Sequence, residues 1–387
     1  MNIGLSDRLR KLPPYLFVEI DRAKKRAKEE GRDIIDLGVG DPDQPTPRFI
    51  IEALHRASLK PEMHKYALDR GLPELRIAIA EWYKKRFDVD LDPDDEILPL
   101  IGSKEGISHI PLAFVNQGEA GLVPDPCYPP YNSSIILAGG EPVKMPLLAK
   151  NSFLPDFRRL KQSTLNKAKI MFLNYPNNPT AGVCSGSFFK DVVKFASKHN
   201  IIVCHDAAYS EISFDGFQCT SFLEAEGAKD VGVEFHSFSK MFNMTGWRLG
   251  FVCGNAKVIE ALSKVKSNID SGVFNAIQTA GLEALKKVDS ITRKLKSIYQ
   301  RRRDIFVEGL NKIGWKVAKP KATFYVWAPV LKRFTSNSLA KELLDRADVV
   351  VTPGNGFGQS GEGYVRMALT VDELRLKEAV DRIARVV

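Results

Sequence analysis

Short apolar runs alternate with amphipathic helical stretches along most of the chain. Residues 33–39 are strand-like, and residues 48–59 and 74–87 repeat apolar positions with the period of a helix. Buried strands are predicted at four further apolar runs bounded by Asn, Pro, Gly or Ser, at residues 170–173, 201–204, 235–238 and 249–253. This alternation indicates an α/β fold with a mostly parallel central sheet flanked by helices.

A second unit follows a long charged helical pattern at residues 276–313, which Gly314 ends. Beyond it the chain alternates again, with strands predicted at residues 323–327, 349–351 and 364–368 and helices at residues 338–346 and 371–386. This mixture of strands and helices is typical of a smaller α+β domain. The long helix would connect it to the first unit.

The length also favours two domains, because 387 residues exceed what one hydrophobic core usually supports. Hydrophobic residues make up 44% and charged residues 27%, which is an ordinary globular composition and argues against disorder. We expect an N-terminal arm at residues 1–45 that contributes to the small domain, a large domain at residues 46–285, and a C-terminal small domain at residues 286–387.

Membrane association and secretion are disfavoured by the apolar pattern. The longest apolar stretches, such as residues 110–115, are far shorter than the roughly 20 residues of a membrane span. The N-terminal residues contain no apolar signal core. The 5 cysteines are scattered without a CxxC pair and the 6 histidines form no HxxxH pattern, so we expect neither a disulfide framework nor a metal site. These features predict a cytoplasmic protein without a membrane partner.

The net charge of +9 could indicate a nucleic-acid partner, but the basic residues are spread along the chain. The densest run, residues 301–303, falls inside the long helical pattern, where a solvated face is the simpler interpretation. We therefore expect no nucleic-acid partner. A positive balance suits anionic small molecules equally well.

Lys240 is the strongest candidate for chemistry. It ends the run SFSK at residues 237–240, which follows a predicted strand, and Arg248 comes eight residues later in GWRLG. A lysine there can form an imine while Ser237, Ser239 and Arg248 hold a phosphate. A lone lysine is more often a solvated surface residue, but the distance between these two runs favours the functional interpretation.

The apolar run at residues 201–204 leads into HDAAY at residues 205–209, which supplies a carboxylate and a phenol at the end of the predicted strand. Ligands bind at the carboxyl ends of strands in open α/β sheets, so Asp206 is placed to pair with a cationic ring nitrogen and Tyr209 to reach a phenolate oxygen. The alternative is that Asp206 only caps the following turn or helix.

Other polar residues also follow predicted strands. Asn178 lies in NYPNNPT, and GSKEG at residues 102–106 leads into a helix whose N–H groups can receive a phosphate. Tyr128 can stack on an aromatic ring, and Arg366 can bind a carboxylate through two hydrogen bonds. Pyridoxal-phosphate chemistry needs four groups from a protein: a lysine, a carboxylate, a phosphate cradle and a group such as arginine that binds the substrate carboxylate.

In order along the chain, these motifs resemble the class I/II aminotransferases of pyridoxal-phosphate fold type I. The series is LGVGDPD at residues 37–43, Tyr66, GSKEG, DPCYP, NYPNNPT, HDAAY, SFSK, GWRLG and YVRMAL, and it covers the chain from about residue 33 onward. Each motif is modest, whereas their joint order is highly specific. The resemblance implies a large domain with a mostly parallel sheet and a smaller α+β domain.

Roles for individual residues follow from the resemblance. Lys240 resembles the Schiff-base lysine, Asp206 the partner of the pyridine nitrogen, and Tyr128 the stacking aromatic. Asn178 and Tyr209 resemble the partners of the cofactor's phenolic oxygen, Gly40 lines the substrate side, and Arg366 resembles the α-carboxylate clamp. The phosphate cradle comprises Gly102, Ser103, Lys104, Ser237, Ser239 and Arg248. Tyr66 resembles the tyrosine that family dimers pass to the neighbouring subunit's phosphate, so a homodimer with shared active sites is implied.

Within the family, PPYLFVEI at residues 13–20 and the segment 267–274 resemble LL-diaminopimelate aminotransferases. This implies that Tyr15 and Asn268 contribute to substrate binding. Two departures stand out: residues 268–272 differ from the FNGAS-like run of that branch, and Ala181 replaces the glycine of the family's NPTG, so a slightly shifted turn is expected.

The resemblance implies transamination between an amino acid, most simply LL-diaminopimelate in lysine biosynthesis, and a 2-oxo acid, with 2-oxoglutarate the expected acceptor. Aspartate, alanine or aromatic aminotransferases are alternatives. A lyase of the same fold is another, although Arg366 argues against decarboxylation because a bound α-carboxylate is not readily lost. A DNA-binding regulator would need an N-terminal domain that the roughly 32 residues before the first strand are too short to form.

Overall fold

A computed structural model of the chain describes residues 1, 3–13, 24–27, 29–67 and 70–387. Tyr15, predicted to bind substrate, lies outside these residues. The strands are numbered in chain order: β1 (Ile35–Asp36), β2 (Ile97–Leu100), β3 (Ala120–Asp125), β4 (Glu141–Pro146), β5 (Ala168–Asn174), β6 (Ile202–Asp206), β7 (Gly232–Ser237), β8 (Gly250–Gly254), β9 (Tyr325–Pro329), β10 (Val349–Val350), β11 (Thr352–Pro353) and β12 (Tyr364–Ala368).

The helices cover the sheet and join its strands. In chain order they are α1 (Asp7–Arg10), α2 (Arg48–Ser58), α3 (Pro73–Phe87), α4 (Ser103–Phe114), α5 (Pro130–Leu137), α6 (Gln162–Leu165), α7 (Gly186–His199), α8 (Ala228–Val231), α9 (Phe238–Met241), α10 (Ala256–Ser267), α11 (Asn275–Lys286), α12 (Val288–Lys312), α13 (Ser336–Ala347) and α14 (Glu373–Ile383). Among the described residues, none of these helices is long and apolar enough to cross a membrane.

A seven-stranded sheet forms the centre of the molecule, in the order β2-β8-β7-β6-β5-β3-β4. Strand β8 runs antiparallel to both of its neighbours, and the other neighbouring pairs are parallel. Successive residues of β5 enter different apolar clusters, with Met171 in one and Phe172 in the other, so both faces of the sheet are covered. The predicted α/β fold with a mostly parallel sheet is confirmed.

The carboxyl ends of the parallel strands bring polar residues to one edge of this sheet. Asn174, the last residue of β5, pairs in register with Asp206, the last residue of β6. Strand β7 ends beside them at Ser237. Because parallel strands end at the same edge, motifs far apart in the sequence meet there.

Strands β11, β12 and β9 form a separate three-stranded antiparallel sheet. The early strand β1 pairs in parallel with β10, and Ala368 N–H at the end of β12 donates to the Leu37 carbonyl at 2.7 Å. The segment around residues 35–39 is thereby held against the C-terminal unit. The boundaries proposed for the domains stay a prediction.

Two elements differ from the sequence pattern. The long helical pattern at residues 276–313 is divided into α11 and α12, because Lys287 leaves the helical conformation with φ −121° and ψ 21°. The first strand is only Ile35–Asp36, and the Asp36 carboxylate accepts a hydrogen bond from Gly38 N–H at 2.9 Å. The Asp36 side chain thus bonds to the backbone where the sequence pattern predicted that the strand continues.

Candidate active site

A cavity of about 360 Å³ opens at the carboxyl edge of the seven-stranded sheet. Its walls come from the loops after β2, β3, β5, β6 and β7 and from the C-terminal sheet. Most residues singled out from the sequence line it: Gly40, Ser103, Lys104, Tyr128, Asn178, Asp206, Tyr209, Ser237, Ser239, Lys240, Arg248 and Arg366.

Lys240 lies in the short helix α9 directly after β7. Its Nζ donates a hydrogen bond to the Gly40 carbonyl at 2.8 Å. Burial lowers the pKa of Lys240 to about 8, with Arg366 and Arg248 contributing in the same direction and Asp41 opposing them. About a tenth of the amine is therefore neutral at pH 7, far more than for an ordinary lysine, and the neutral form is what a nucleophile or general base requires.

The Asp206 carboxylate ends β6 and is only 5% exposed. Its Oδ2 accepts from the Tyr131 hydroxyl at 2.8 Å, and its Oδ1 accepts from Ala208 N–H at 3.1 Å. Burial raises the pKa of Asp206, and these two hydrogen bonds oppose the rise. A cation placed in the cavity beside Asp206 would stabilise the ionised form, so this position fits a protonated ring nitrogen.

Tyr131 is a site residue that the sequence analysis missed. The only signal was a second aromatic residue three positions after Tyr128 in the DPCYPPY run. Its ring stacks on Phe172 with centroids 5.0 Å apart, which fixes the hydroxyl against Asp206. Tyr131 therefore helps to keep this carboxylate ionised.

We expect Tyr131→Phe to move the acidic limb of the pH dependence of kcat/KM to higher pH. Removing the hydroxyl takes away a hydrogen bond that lowers the pKa of Asp206, and one charged hydrogen bond corresponds to about one pH unit. The pH–rate profiles of the variant and the wild type measure the shift. Tyr175→Phe is the matched control, because its buried hydroxyl donates to the Phe153 carbonyl at 2.8 Å and does not face Asp206. Equal shifts in both variants would contradict a specific effect.

Arg366 is buried in β12 and reaches the cavity from the C-terminal sheet. Its Nη1 donates to Asn178 Oδ1 at 2.7 Å, and its Nη2 donates to the Gly38 carbonyl at 2.7 Å. The guanidinium stays cationic although burial lowers its pKa, because the intrinsic pKa of arginine is so high. A fixed cation on the cavity wall can bind a substrate carboxylate.

The same cavity is lined by Ser103, Ser237, Ser239 and Arg248, which together can form a cradle for an anion. Ser103 opens helix α4, where free backbone N–H groups and the helix dipole favour a negative charge. Arg248 Nη1 lies 3.5 Å from Ser239 Oγ, and Ser239 N–H donates to Ser237 Oγ at 3.2 Å. Gly102, with φ 76°, does not itself line the cavity, but a Cβ there would collide with the Arg248 guanidinium. These groups suit a phosphate.

Tyr128 stands on the cavity wall after β3. Its ring meets that of Tyr131 edge-to-face, with centroids 5.7 Å apart. The T-shaped pair holds Tyr128 where a planar ligand above Asp206 could stack on it.

A family model described as aminotransferase class I and II matches residues 32–383. The chain belongs to this family. An LL-diaminopimelate aminotransferase of Moorella thermoacetica is 54% identical over 98% of this chain and 97% of its own length. One from Dehalococcoides mccartyi strain 195 is also 54% identical, over 98% of both chains.

Two solved structures share the fold. Apo BacF from Bacillus subtilis is 43% identical, with a TM-score of 0.96 over 100% of this chain and 98% of its own. A single mutant of the aspartate aminotransferase of Thermus thermophilus is 29% identical, with a TM-score of 0.93 over 100% of both chains. The catalytic class inferred from the ordered motifs is confirmed: this protein is an aminotransferase.

Apart from Gly102, two of the predicted site residues that the structure describes do not line the cavity of the single chain. Tyr66 is 77% exposed. Asn268 ends helix α10 on the surface, and its Nδ2 donates to the Lys264 carbonyl at 2.8 Å. Their roles stay predictions that require a second subunit.

The turn that departs from the family's NPTG keeps Asn178 on the cavity wall. Ala181 adopts the left-handed conformation with φ 55°, and its N–H donates to the Asn177 carbonyl at 2.9 Å. Alanine pays a steric penalty in this region that glycine avoids. The substitution therefore adds local strain next to the site.

One acidic cluster in the described part of the chain has the spacing of a cation site, formed by Glu105, His109 and Asp270. Lys266 Nζ already lies 3.1 Å from Glu105 and 2.7 Å from Asp270. The cluster is thus compensated by an ammonium group of the chain itself.

Proposed function

We propose that this aminotransferase transfers the amino group of LL-diaminopimelate to 2-oxoglutarate, with pyridoxal 5′-phosphate as its cofactor. The observation that carries the chemistry is the grouping of Lys240, Asp206 and Arg366 around one cavity. The amino donor is supported by the relatives from Moorella thermoacetica and Dehalococcoides mccartyi, which are named LL-diaminopimelate aminotransferases and match nearly the whole chain.

The chemistry of the donor set fits the cofactor. Asp206 matches a cationic ring nitrogen, Tyr209 and Asn178 offer polar groups for the phenolic oxygen, and Tyr128 offers a face for the ring. The phosphate would be held by the cradle of Ser103, Lys104, Ser237, Ser239 and Arg248. When bound, the cofactor supplies an electron sink for negative charge that develops at the substrate Cα.

Lys240 would hold the cofactor covalently and, once displaced by the substrate amine, act as the base that removes the Cα proton. A pKa of about 8 leaves enough neutral amine for this transfer near neutral pH. Its hydrogen bond to the Gly40 carbonyl points Nζ toward a residue that we expect to line the substrate side of the cavity.

Arg366 would bind the substrate α-carboxylate and thereby orient the Cα–H bond. The guanidinium is already fixed through Asn178 and Gly38, so little orientational freedom is lost on binding. Retention of the carboxylate disfavours decarboxylation, and the need for an oxo-acid acceptor distinguishes transamination from a lyase reaction.

We also propose a homodimer. Residues 65–67 and 269–275 are joined by a hydrogen bond from Asn275 Nδ2 to the Lys65 carbonyl at 3.4 Å. They expose apolar side chains, with Tyr66 77%, Ile269 53% and Phe274 43% exposed. A second copy on this surface would cover them and bring Tyr66 and Asn268 to a shared active site. Sedimentation should give a dimer, and a monomer at working concentration would contradict the proposal.

A cytoplasmic location is the third part of the proposal. All five cysteines are free thiols, four of them buried, which is usual for a reducing compartment. Cell fractionation should recover the protein with cytoplasmic enzymes, and its recovery outside the cell would contradict this location.

The donor proposal predicts a strong preference for LL-diaminopimelate over aspartate, alanine and phenylalanine, with 2-oxoglutarate as acceptor. A site that pairs the distal ammonium and carboxylate rejects analogues lacking them, by roughly 10⁴–10⁵-fold in the best cases. Comparison of kcat/KM across these donors measures it. The meso isomer is the matched control, because it differs only in the distal stereocentre. Faster turnover of another donor would refute the substrate and leave the aminotransferase class intact.

A further inference from the structure

Tyr325 touches three residues of the proposed site without having been assigned a part in it. It opens strand β9, is 2% exposed, and lines the cavity. Its backbone N–H donates to Thr323 Oγ1 at 3.0 Å, which fixes the strand where the side chain enters the site.

The hydroxyl of Tyr325 lies 3.0 Å from that of Tyr209. Each phenol carries one hydrogen, so only one of the two can donate in this contact. Burial raises the pKa of Tyr209 well above its ordinary value, so Tyr209 keeps its hydrogen. If Tyr209 donates that hydrogen to a phenolate in the cavity, then Tyr325 must be the donor to Tyr209.

The ring of Tyr325 supports the carboxylate clamp. The guanidinium carbon of Arg366 lies 4.2 Å from the ring centroid, within the range of a cation–π contact. Tyr325 and Arg366 lie on the neighbouring strands β9 and β12, where Arg366 pairs with Trp327 and Ala368 pairs with Tyr325. The register of these two strands therefore fixes the positions of the ring and the guanidinium relative to each other. The Tyr325 ring thus packs against the guanidinium of Arg366.

Gly40 completes the arrangement. A Cβ at this position would collide with the Tyr325 hydroxyl. Because Gly40 has no side chain, the Tyr325 ring can approach its backbone. The carbonyl of Gly40 accepts the hydrogen bond from Lys240 Nζ. The Tyr325 side chain therefore contacts Tyr209, Arg366 and Gly40 at once.

We propose that Tyr325 is a positioning residue that directs the Tyr209 hydroxyl toward the cofactor and fixes the Arg366 guanidinium for the substrate carboxylate. The inference rests on the proposed function, because the acceptor for Tyr209 is the cofactor's phenolic oxygen. Two parts of one side chain serve two partners: the hydroxyl serves Tyr209, and the ring serves Arg366. Substitutions can separate them.

Tyr325→Phe removes the hydroxyl and keeps the ring. In the cofactor-loaded enzyme, Tyr209 becomes a weaker donor, because hydrogen bonds in a chain strengthen one another. The midpoint of the pH-dependent absorbance change of the bound cofactor should rise by about half a unit. We expect kcat to fall about tenfold, with KM changed much less.

Tyr325→Leu removes the ring as well. Arg366 keeps its hydrogen bonds to Asn178 and Gly38 but loses the contact with the Tyr325 ring, so KM for the amino donor should rise about tenfold beyond the effect of the phenylalanine variant. Tyr299→Phe is the matched control, since this buried phenol packs on Phe324 beside Tyr325 and its hydroxyl has no hydrogen-bond partner among the described residues. It should leave the absorbance midpoint, kcat and KM unchanged.

A midpoint in Tyr325→Phe equal to that of the wild type would overturn the role toward Tyr209. An unchanged KM in Tyr325→Leu would overturn the role toward Arg366. A shift that Tyr299→Phe reproduces would mean a general packing effect and would overturn both. Failure of the proposed function is distinguishable, because then the wild-type protein itself would lack the cofactor absorbance.

Discussion

Replacing Lys240 with alanine is expected to abolish covalent attachment of the cofactor and to lower kcat by at least about 10⁴-fold. Alanine removes the nucleophile that holds the cofactor and the base that takes the Cα proton. The Lys240 amine is suited to both tasks because burial lowers its pKa to about 8. Borohydride reduction of the wild-type holoenzyme, followed by peptide mapping, should label Lys240, and the variant should give no labelled peptide.

Lys104 provides the matched control, since it is a second lysine on the wall of the same cavity. Lys104→Ala should keep the covalent label on Lys240, although phosphate binding is expected to weaken. A label on Lys104 or on any other lysine of the wild-type protein would refute the assignment. The same experiment thus distinguishes the two lysine amines on the cavity wall.

Asp206→Asn should leave the cofactor bound and lower kcat roughly 10²–10³-fold, on the order of the loss when a preorganised electrostatic partner is removed. The amide keeps an oxygen to accept from Ala208 N–H, so the local turn survives while the negative charge is lost. Without that charge the ring nitrogen is a weaker base and the electron sink is less effective. Single-turnover rates with the amino donor measure the change.

Asp372→Asn tests the alternative that Asp206 matters only as a cap. Asp372 caps helix α14 by accepting from Arg375 N–H at 2.8 Å and does not line the cavity, and Asn caps a helix about as well as Asp. Little change in activity is expected there. Turnover equal to the wild type in Asp206→Asn would show that the carboxylate does nothing beyond capping.

Much of the site could be predicted from the sequence because its residues stand at strand ends. Asn174, Asp206 and Ser237 follow apolar runs that form neighbouring parallel strands, so strand order alone brings them to one edge. The cavity adds Arg366, whose strand belongs to another sheet. The ordered motifs supplied that connection, since periodicity gives no information on how separate sheets pack.

Contacts between side chains were harder to predict. Tyr131 and Tyr325 reach the site through ring packing on Phe172 and against Arg366, and nothing in their local sequence distinguishes them from core aromatics. The break between α11 and α12 was missed for a similar reason. Lys287 and its neighbours are compatible with a helix, so the interruption is set by tertiary packing and not by a breaker residue.

Transfer of nitrogen from donor to acceptor tests the central claim most directly. LL-diaminopimelate carrying 15N at both amino groups would be incubated with the holoenzyme and unlabelled 2-oxoglutarate, and the products analysed by mass spectrometry. We expect 15N-glutamate in equal amount to the donor consumed, and no release of ammonia when the oxo acid is omitted. Continuous ammonia release without 2-oxoglutarate, or unlabelled glutamate, would contradict transamination from this donor.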